Sequence, residues 1–432
     1  MSAQCAGFSK RCPAPSAPDE AAGRLRRVAD TPISALRVDD TSAAAQAGTG
    51  NRSNWPMLGL GWLIYFSFGM VMASLVPIVT LLRDELGISY TQMGLVLGAW
   101  QLAYIAAAAP SGILIDRIGP KKALVIGALI IAASALLQSY ATGFWSLFAA
   151  VALFGFGGPI ISIGLPKLVV DWFSGPSRGL ASGVYITGSA LGSVLVLSST
   201  HALFLPMTGS WRTTLAIYAL IAFVVTLLWI VFGRDSAESV ADRERPDTTG
   251  GGYREIIFQP AVWVVILVGF SSFLAIHGLR SWLPQILEAR GMSPANSGVL
   301  ASLPAITGVF GSILVLRLAS RGSGNRRVAA VTLLLTIGLG IAAIMFLDGW
   351  PLVLVIVVEG FCAGAVQPLM LNILMEMPSV GPRRIGTAAG IYFSVGEVGG
   401  TAGPALMGLL ADLTGSFTPG MLSTSTKASR IF

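Results

Sequence analysis

The chain has 432 residues, 54% of them hydrophobic and 11% charged, where a soluble globular protein carries about a quarter charged, and this excludes a water-soluble fold. Its net charge of +7 then belongs to loops beside an anionic leaflet rather than to a nucleic-acid surface, and no basic patch interleaved with aromatics argues otherwise. Cys5, Cys12 and Cys362 form no pairable framework and read as free thiols.

Residues 1–53 are rich in Ala, Ser and Pro with mixed charge, and hold no apolar run that could act as a signal sequence. They read as a disordered cytosolic arm, with a regulatory or targeting tail as the alternative and Met57 as a candidate later start. A bilayer-spanning helix takes about 20 residues. Eleven apolar runs qualify, at 57–82, 91–115, 122–140, 145–170, 179–205, 212–233, 260–287, 294–319, 326–347, 351–376 and 385–410. The expected fold class is therefore an all-α polytopic membrane protein. Its parts are the arm, a six-helix half at 54–233, a polar linker at 234–258, a half of five spans at 259–412, and a polar tail at 413–432.

Lys and Arg are distributed unequally between the two sides. One side collects Arg117, Lys121, Lys122, Lys167, Arg178, Arg234, Arg243, Arg245, Arg254, Arg317, Arg321, Arg326, Arg327, Arg383 and Arg384, the other only Arg83, Arg212 and Arg290. The positive-inside rule then expects a cytoplasmic N-terminus in a plasma-membrane protein.

The second run ends in GILIDRIGPKK, from Gly112 to Lys122. Asp116 and Arg117 close one apolar segment, Gly119 and Pro120 turn, and Lys121 and Lys122 open the next, which leaves room only for a tight helical hairpin. A generic basic loop would account for the three cations but not for Asp116, since an acidic group one turn from hydrocarbon needs a cationic partner. The pattern G-x-x-x-D-R-x-G-x-K/R-K/R resembles the loop between helices two and three of the major facilitator superfamily, departing from it only at Pro120, which a turn tolerates. The resemblance implies a gate on this side: Asp116 would pair with Arg178 or with the positive end of the eleventh helix near Ile385, with Gly112, Arg117, Gly119, Lys121 and Lys122 completing the motif.

The halves also repeat. PSGILIDRI from Pro110 returns 200 residues later as FGSILVLRL from Phe310, and GPSRGLASGVY from Gly175 returns as GPRRIGTAAGIY from Gly381. Transporters of this superfamily are paired six-helix halves with substrate held between them, and the resemblance covers Met57 to Asp412. Within the superfamily, FSFGMVMASLVPIV at Phe66, GGPIISIGLPKLVVDWF at Gly157 and SWLPQIL at Ser281 resemble the cyanate and nitroimidazole type, which implies small organic anions or weakly polar solutes. The repeat also predicts that GSFTPGML at Gly415 turns into a twelfth helix as GSWRTTLAIYALIAF at Gly209 turns into the sixth. The polar STSTKASRIF that follows Leu422 builds no span, so the twelfth helix is expected to be missing, by frameshift or truncation.

A charge inside a bilayer costs about 3 kcal/mol or more, so ionisable residues within the spans are candidates for the substrate or ion path. His277 and Arg280 lie three apart and share a face of the seventh run. Glu359 sits roughly 13 Å into the tenth at 1.5 Å per residue, and Glu397 lies mid-way along the eleventh. Tyr65, Gln101, Gln367 and Asn372 add hydrogen-bonding groups. Each has a plainer reading beside the functional one: Arg280 and Lys167 as snorkelling cations, His277 as a packed histidine, and Gly183, Gly188 and Gly192 as close-packing positions between helices.

The sequence holds no phosphate-binding loop with its lysine, and its two histidines, His201 and His277, stand in separate halves without metal-ligand spacing. The expectation is a monomeric secondary transporter without cofactor, metal or enzymatic activity. It would be driven by an ion gradient, protons among the candidates, or by the substrate's own, as a symporter or antiporter. A non-transporting sensor or assembly protein, or an inactive truncated transporter, that kept the fold is the alternative.

Overall fold

The computed structural model describes residues 54–174, 176–236, 259–319, 323–377 and 380–419. The expectations for the arm, for most of the linker and for the tail beyond 419 lie outside these residues. Among the described residues eleven long helical segments follow one another. Helix α1 spans Asn54–Ala73, breaks, and resumes through a 3-10 turn at Val76–Ile78 into Val79–Leu86, the break falling where Pro77 supplies no N–H. Then come α2 (Tyr90–Ile118), α3 (Pro120–Ser139) and α4 (Phe144–Trp172). Helix α5 spans Pro176–Ser199 and continues through a π turn at Thr200–Phe204 into Leu205–Thr208; α6 (Trp211–Phe232) completes the first half. The second half holds α7 (Pro260–Ala289), α8 (Pro294–Ala319), α9 (Ser323–Ala343), α10 (Gly349–Glu376) and α11 (Gly381–Thr414). Ten of the eleven are long and apolar enough to cross a membrane; α11, at 34 residues, has the length but carries Glu397 and Asp412 among many glycines.

The repeat read from the sequence returns as repeated packing. In the first half α1 packs on α5, α2 on α4 and α3 on α4; in the second α7 packs on α11, α8 on α10 and α9 on α10. Small residues permit these approaches, as in membrane helix pairs generally. Gly188 and Gly192 meet the α1 backbone at Trp62 and Phe66, and Gly399 and Gly403 meet the α7 backbone at Phe270 and Leu274. Gly183, expected to be a third such position, faces open space. The turn after α11 repeats the turn after α5: Gly415 has φ +68° and Gly209 φ +65°, and Phe417 and Trp211 are both buried behind them.

One end of the bundle is zipped shut across the halves. Helix α2 lies against α11, with Gly94 on Pro404, Gly98 on Thr401 and Gly408 on Tyr90, and α5 meets α8 where Gly298 touches Leu197. Gln285 Nε2 donates across the halves to Val76 O at 2.7 Å, and within the second half Trp282 Nε1 holds Pro404 O at 3.0 Å, beside the Gly94 contact. The N-terminus of α2 has four N–H groups without helical partners, and both halves satisfy them. Ser89 Oγ accepts from Gln92 N at 3.2 Å and Gln92 Oε1 accepts from Ser89 N at 3.0 Å. Asp412, at the far end of α11, accepts from Tyr90 N at 3.0 Å, Thr91 N at 2.7 Å and Thr91 Oγ at 2.6 Å. The first two amides of α2 are thus capped by a carboxylate of the other half. The cations at this end are each engaged: Arg83 lies 3.3 Å from the Tyr90 ring centroid, Arg212 pairs with Glu85 and Arg290 with Asp348.

Candidate functional site

Between the halves, α1, α2, α5, α7 and α8 wall a cavity of about 130 Å³. Its lining is apolar, from Met72, Leu97, Trp100 and Leu197 among others, except for Ser193, Ser281, His277 and Arg280. The i, i+3 spacing of His277 and Arg280 puts both on the cavity face of α7, as the sequence predicted. Arg280 is exposed there rather than packed away, and makes no hydrogen bond or ion pair among the described residues. The charge it feels is that of Glu359. Glu359 does not line this cavity: it is 1% exposed, both carboxylate oxygens lack a hydrogen-bond partner, and its Cβ lies 3.4 Å from where a Cβ on Gly340 of α9 would stand.

One turn along α7 from Arg280, His277 stacks on Phe273 with centroids 5.5 Å apart, and Trp100 covers it at 6.0 Å. Gln101 Nε2 lies 3.2 Å from His277 Nδ1 and donates to Gly400 O at 3.3 Å, so side chains of α2 and α7 and the backbone of α11 meet at one point. Glu397, one turn before Gly400, brings its Oε2 to the same place. Tyr65 belongs to a neighbouring aromatic group, stacked on Phe68 at 5.3 Å and tilted against Tyr185 at 5.6 Å. Gln367 and Asn372, farther along α10, line no part of this cavity and make no side-chain hydrogen bond among the described residues. Of the eight path candidates, then, Gln101, His277 and Glu397 converge with Arg280 beside them, and the other four stand apart.

The sequence model of the Major Facilitator Superfamily matches residues 61–413. The chain belongs to the major facilitator superfamily. A probable sulfoacetate transporter of Cupriavidus necator is 26% identical over 398 residues, covering 85% of this chain and 90% of that protein. A hexuronate transporter of Bacillus subtilis is 25% identical, covering 79% and 84%, and a glycerol-3-phosphate transporter of the same species 26%, covering 82% and 84%. The crystal structure of a bacterial homologue of the human lysosomal transporter Spinster, inward-facing and unoccupied, shares the fold with a TM-score of 0.73 at 17% identity, over 88% of this chain and 96% of that one. The protein is thus a multi-pass membrane transporter of the major facilitator superfamily, not an enzyme.

The loop that first resembled the superfamily is built as its residues require. Gly119 has φ +85°, a backbone that disfavours side chains, and Pro120 opens α3, where no N–H is needed. The Asp116–Arg178 pair expected from the sequence is corrected: Asp116 Oδ1 accepts from Lys167 Nζ of α4 at 2.5 Å, inside the same half. Arg178 instead caps the end of α4, donating to Phe173 O at 3.0 Å and Val170 O at 3.3 Å. Lys167 is thus an ion-pair partner rather than a snorkelling cation, and the two residues meet because α2 and α4 pack along their length. Arg117 and Lys122 are exposed, Lys121 N donates to Asp235 Oδ1 at 3.0 Å, and no atom would meet a Cβ on Gly112. Sequence reasoning also missed Trp100 and Tyr104, which flank Gln101 on α2. The signal was there in three polar or aromatic side chains within five residues of an otherwise aliphatic span.

Proposed function

We propose that the protein is a secondary transporter of a small organic anion, which the Arg280 guanidinium holds in the cavity between the halves. The observation that carries this reading is that Arg280 is exposed on the cavity wall with no hydrogen-bond acceptor among the described residues. A guanidinium offers five donors in a planar fork that matches carboxylate, sulfonate or phosphate oxygens. The solutes that name the similar transporters, sulfoacetate, hexuronate and glycerol-3-phosphate, each carry such a group. The finer likeness to cyanate and nitroimidazole transporters fits a cavity of this size and apolar lining, and cyanate is itself a small anion. The test is a thermal-shift panel on purified protein with sulfoacetate, glucuronate, glycerol 3-phosphate, tartrate and cyanate, each beside a neutral analogue. An anion at a hundred times its dissociation constant stabilises the folded state by about 2.7 kcal/mol. A panel in which only neutral analogues raise the melting temperature overturns the reading.

On this reading the end rich in Arg and Lys is cytoplasmic, and the two ends of the α2–α11 pair open in turn. Asp412 caps α2 when the far end is zipped, and Asp116 leaves Lys167 for the start of α11 when the basic end closes. The two carboxylates therefore bias the cycle oppositely. With a cysteine at Ser281 on the cavity wall, a membrane-impermeant thiol reagent added outside cells reports opening of the zipped end. Removing an N-cap costs about 1 kcal/mol, so Asp412→Ala should raise the labelling rate roughly fivefold, and Asp116→Asn should lower it. Equal rates in both variants, or no labelling from outside in any, would contradict this account.

A further inference from the structure

The α2–α11 seam, followed from its zipped end, finishes at polar side chains that do not complete one another. Gln101 is 1% exposed and uses both amide hydrogens, one on Gly400 O at 3.3 Å and one on His277 Nδ1 at 3.2 Å. Turning the amide over would set its oxygen against the Gly400 carbonyl, so the hydrogen bonds assign this orientation. Gln101 Oε1 is then a buried acceptor with no donor, and so is Oε2 of Glu397, a side chain only 6% exposed. Both side chains border Gly400: a Cβ built there would lie 3.0 Å from Glu397 Oε2 and 3.3 Å from Gln101 Nε2, tighter than ordinary contact, so glycine at this position gives the two side chains room beside each other. Thr401 Oγ1 is turned to the carbonyls of Gly98 and Glu397, and His277, accepting at Nδ1, carries its hydrogen on the far nitrogen.

Among the described residues, the helices beside Glu397 carry few charged or titratable groups near it. Helix α2 presents Tyr104, whose phenol reaches it electrostatically while sharing a hydrogen bond of 3.0 Å with Ser162. Helix α7 presents His277 and, a turn on, Arg280, whose charge bears on Glu359. Helix α10 presents Glu359 itself, and α11 adds Tyr392, packed on Phe273, and Asp412 at the zipped end. No cation among the described residues faces Glu397. As a carboxylate it would be a buried, unpaired charge beside a second acceptor, an arrangement that proteins avoid.

We propose that Glu397 is a proton-binding site, and that a proton on its Oε2, donated to Gln101 Oε1, is the hydrogen the closed α2–α11 seam lacks. The proton comes from water in the cavity and returns to water when the seam parts, with no other bond made or broken. Loss of the proton leaves a charge that only a hydrated, parted seam accommodates, so the proton holds the zipped end shut and its release opens it. This deepens the transporter reading by naming the coupling ion, and it rests on alternating access but not on Arg280 or on any solute.

The test uses the proton alone as probe. In vesicles without added solute, the Ser281→Cys protein is labelled from the zipped side by an impermeant thiol reagent, between about pH 5.5 and about 8.5, and the rate is divided by that of the same protein carrying Glu397→Gln. The division cancels the thiol's own titration. Glutamine is an isostere that keeps a donor for Gln101 Oε1 at every pH. One proton released on opening changes the ratio of open to closed protein by at most about tenfold per pH unit. The normalised rate should rise by roughly tenfold across the range, and His277→Gln should leave that rise in place. A flat normalised profile overturns the proposal, as does a rise that disappears in His277→Gln. Because no solute enters the assay, either failure leaves the anion reading to stand or fall on its own panel.

Discussion

Arg280→Ala should abolish binding of the anion that gives the largest shift in the thermal panel. Truncating one partner of a desolvated charge pair costs about 2–5 kcal/mol, which corresponds to a loss of affinity between roughly 30-fold and several thousandfold. Arg280→Lys should keep part of the affinity, as a point charge in the same place without the bidentate fork. Arg280→Ala also strips Glu359 of the charge it feels, so a drop in stability is expected in parallel. Pairing Arg280→Ala with Glu359→Gln separates the two effects, because it removes the unbalanced carboxylate and restores the fold without restoring binding. Titration calorimetry reads the result: an Arg280→Ala protein that binds the anion with wild-type affinity would show that Arg280 serves only to reach headgroups.

Gly364→Val should leave little folded protein. Helices α8 and α10 cross where Gly308 and Gly364 touch, and a Cβ on Gly364 would overlap the carbonyl, carbonyl carbon and Cα of Gly308. Its neighbours leave no slack, since Gly360 rests on Pro304 and Gly311 on the Phe361 carbonyl. Side chains can rotate away from an added methyl group, whereas backbone atoms move only if the helices separate. Overpacking typically costs about 1–3 kcal/mol and more where nothing yields, so a loss above about 3 kcal/mol is expected here. Gly183→Ala and Gly390→Ala are the controls: nothing lies within 4 Å of either added Cβ, and Ala for Gly inside a helix is favourable by about 0.5–1 kcal/mol. The monodisperse fraction on size exclusion and the melting temperature decide the matter, and a Gly364→Val protein as stable as the controls would mean that the crossing is looser than its geometry.

Much of the fold was legible because the features that encode it are local. An apolar run declares a span by its own length, and a cluster of Lys and Arg marks a loop without reference to any other part of the chain. The turns at Gly119 and Gly415 were readable because a tight reversal needs a residue that tolerates its backbone. The repeat was readable as well, since two copies of one packing plan keep the same turn and contact residues at the same offset. The site was legible in part, because ionisable and amide groups stand out against an apolar span. Rotation of each helix about its axis was not, and it separates Glu397, at the seam, from Glu359, buried against α9.

What the amino-acid sequence determined alone was the class of molecule, eleven helical segments, the repeated halves, the basic end and a short set of polar residues within the spans. What only the tertiary structure decided was who meets whom. Asp116 faces Lys167 and not Arg178, 51 residues apart along the chain in the pair that forms. Gln101 reaches His277 across 176 residues, and Asp412 caps a helix 321 residues upstream of it at Thr91. Gly188 and Gly192 touch a neighbouring helix while Gly183, on the same segment, touches none. The physical reason is common to these cases. A membrane helix is apolar on nearly every side, so hydrophobic pattern does not say which face meets protein and which meets lipid. Interhelical packing and hydrogen bonds make that choice, and they exist only once the helices have been brought together.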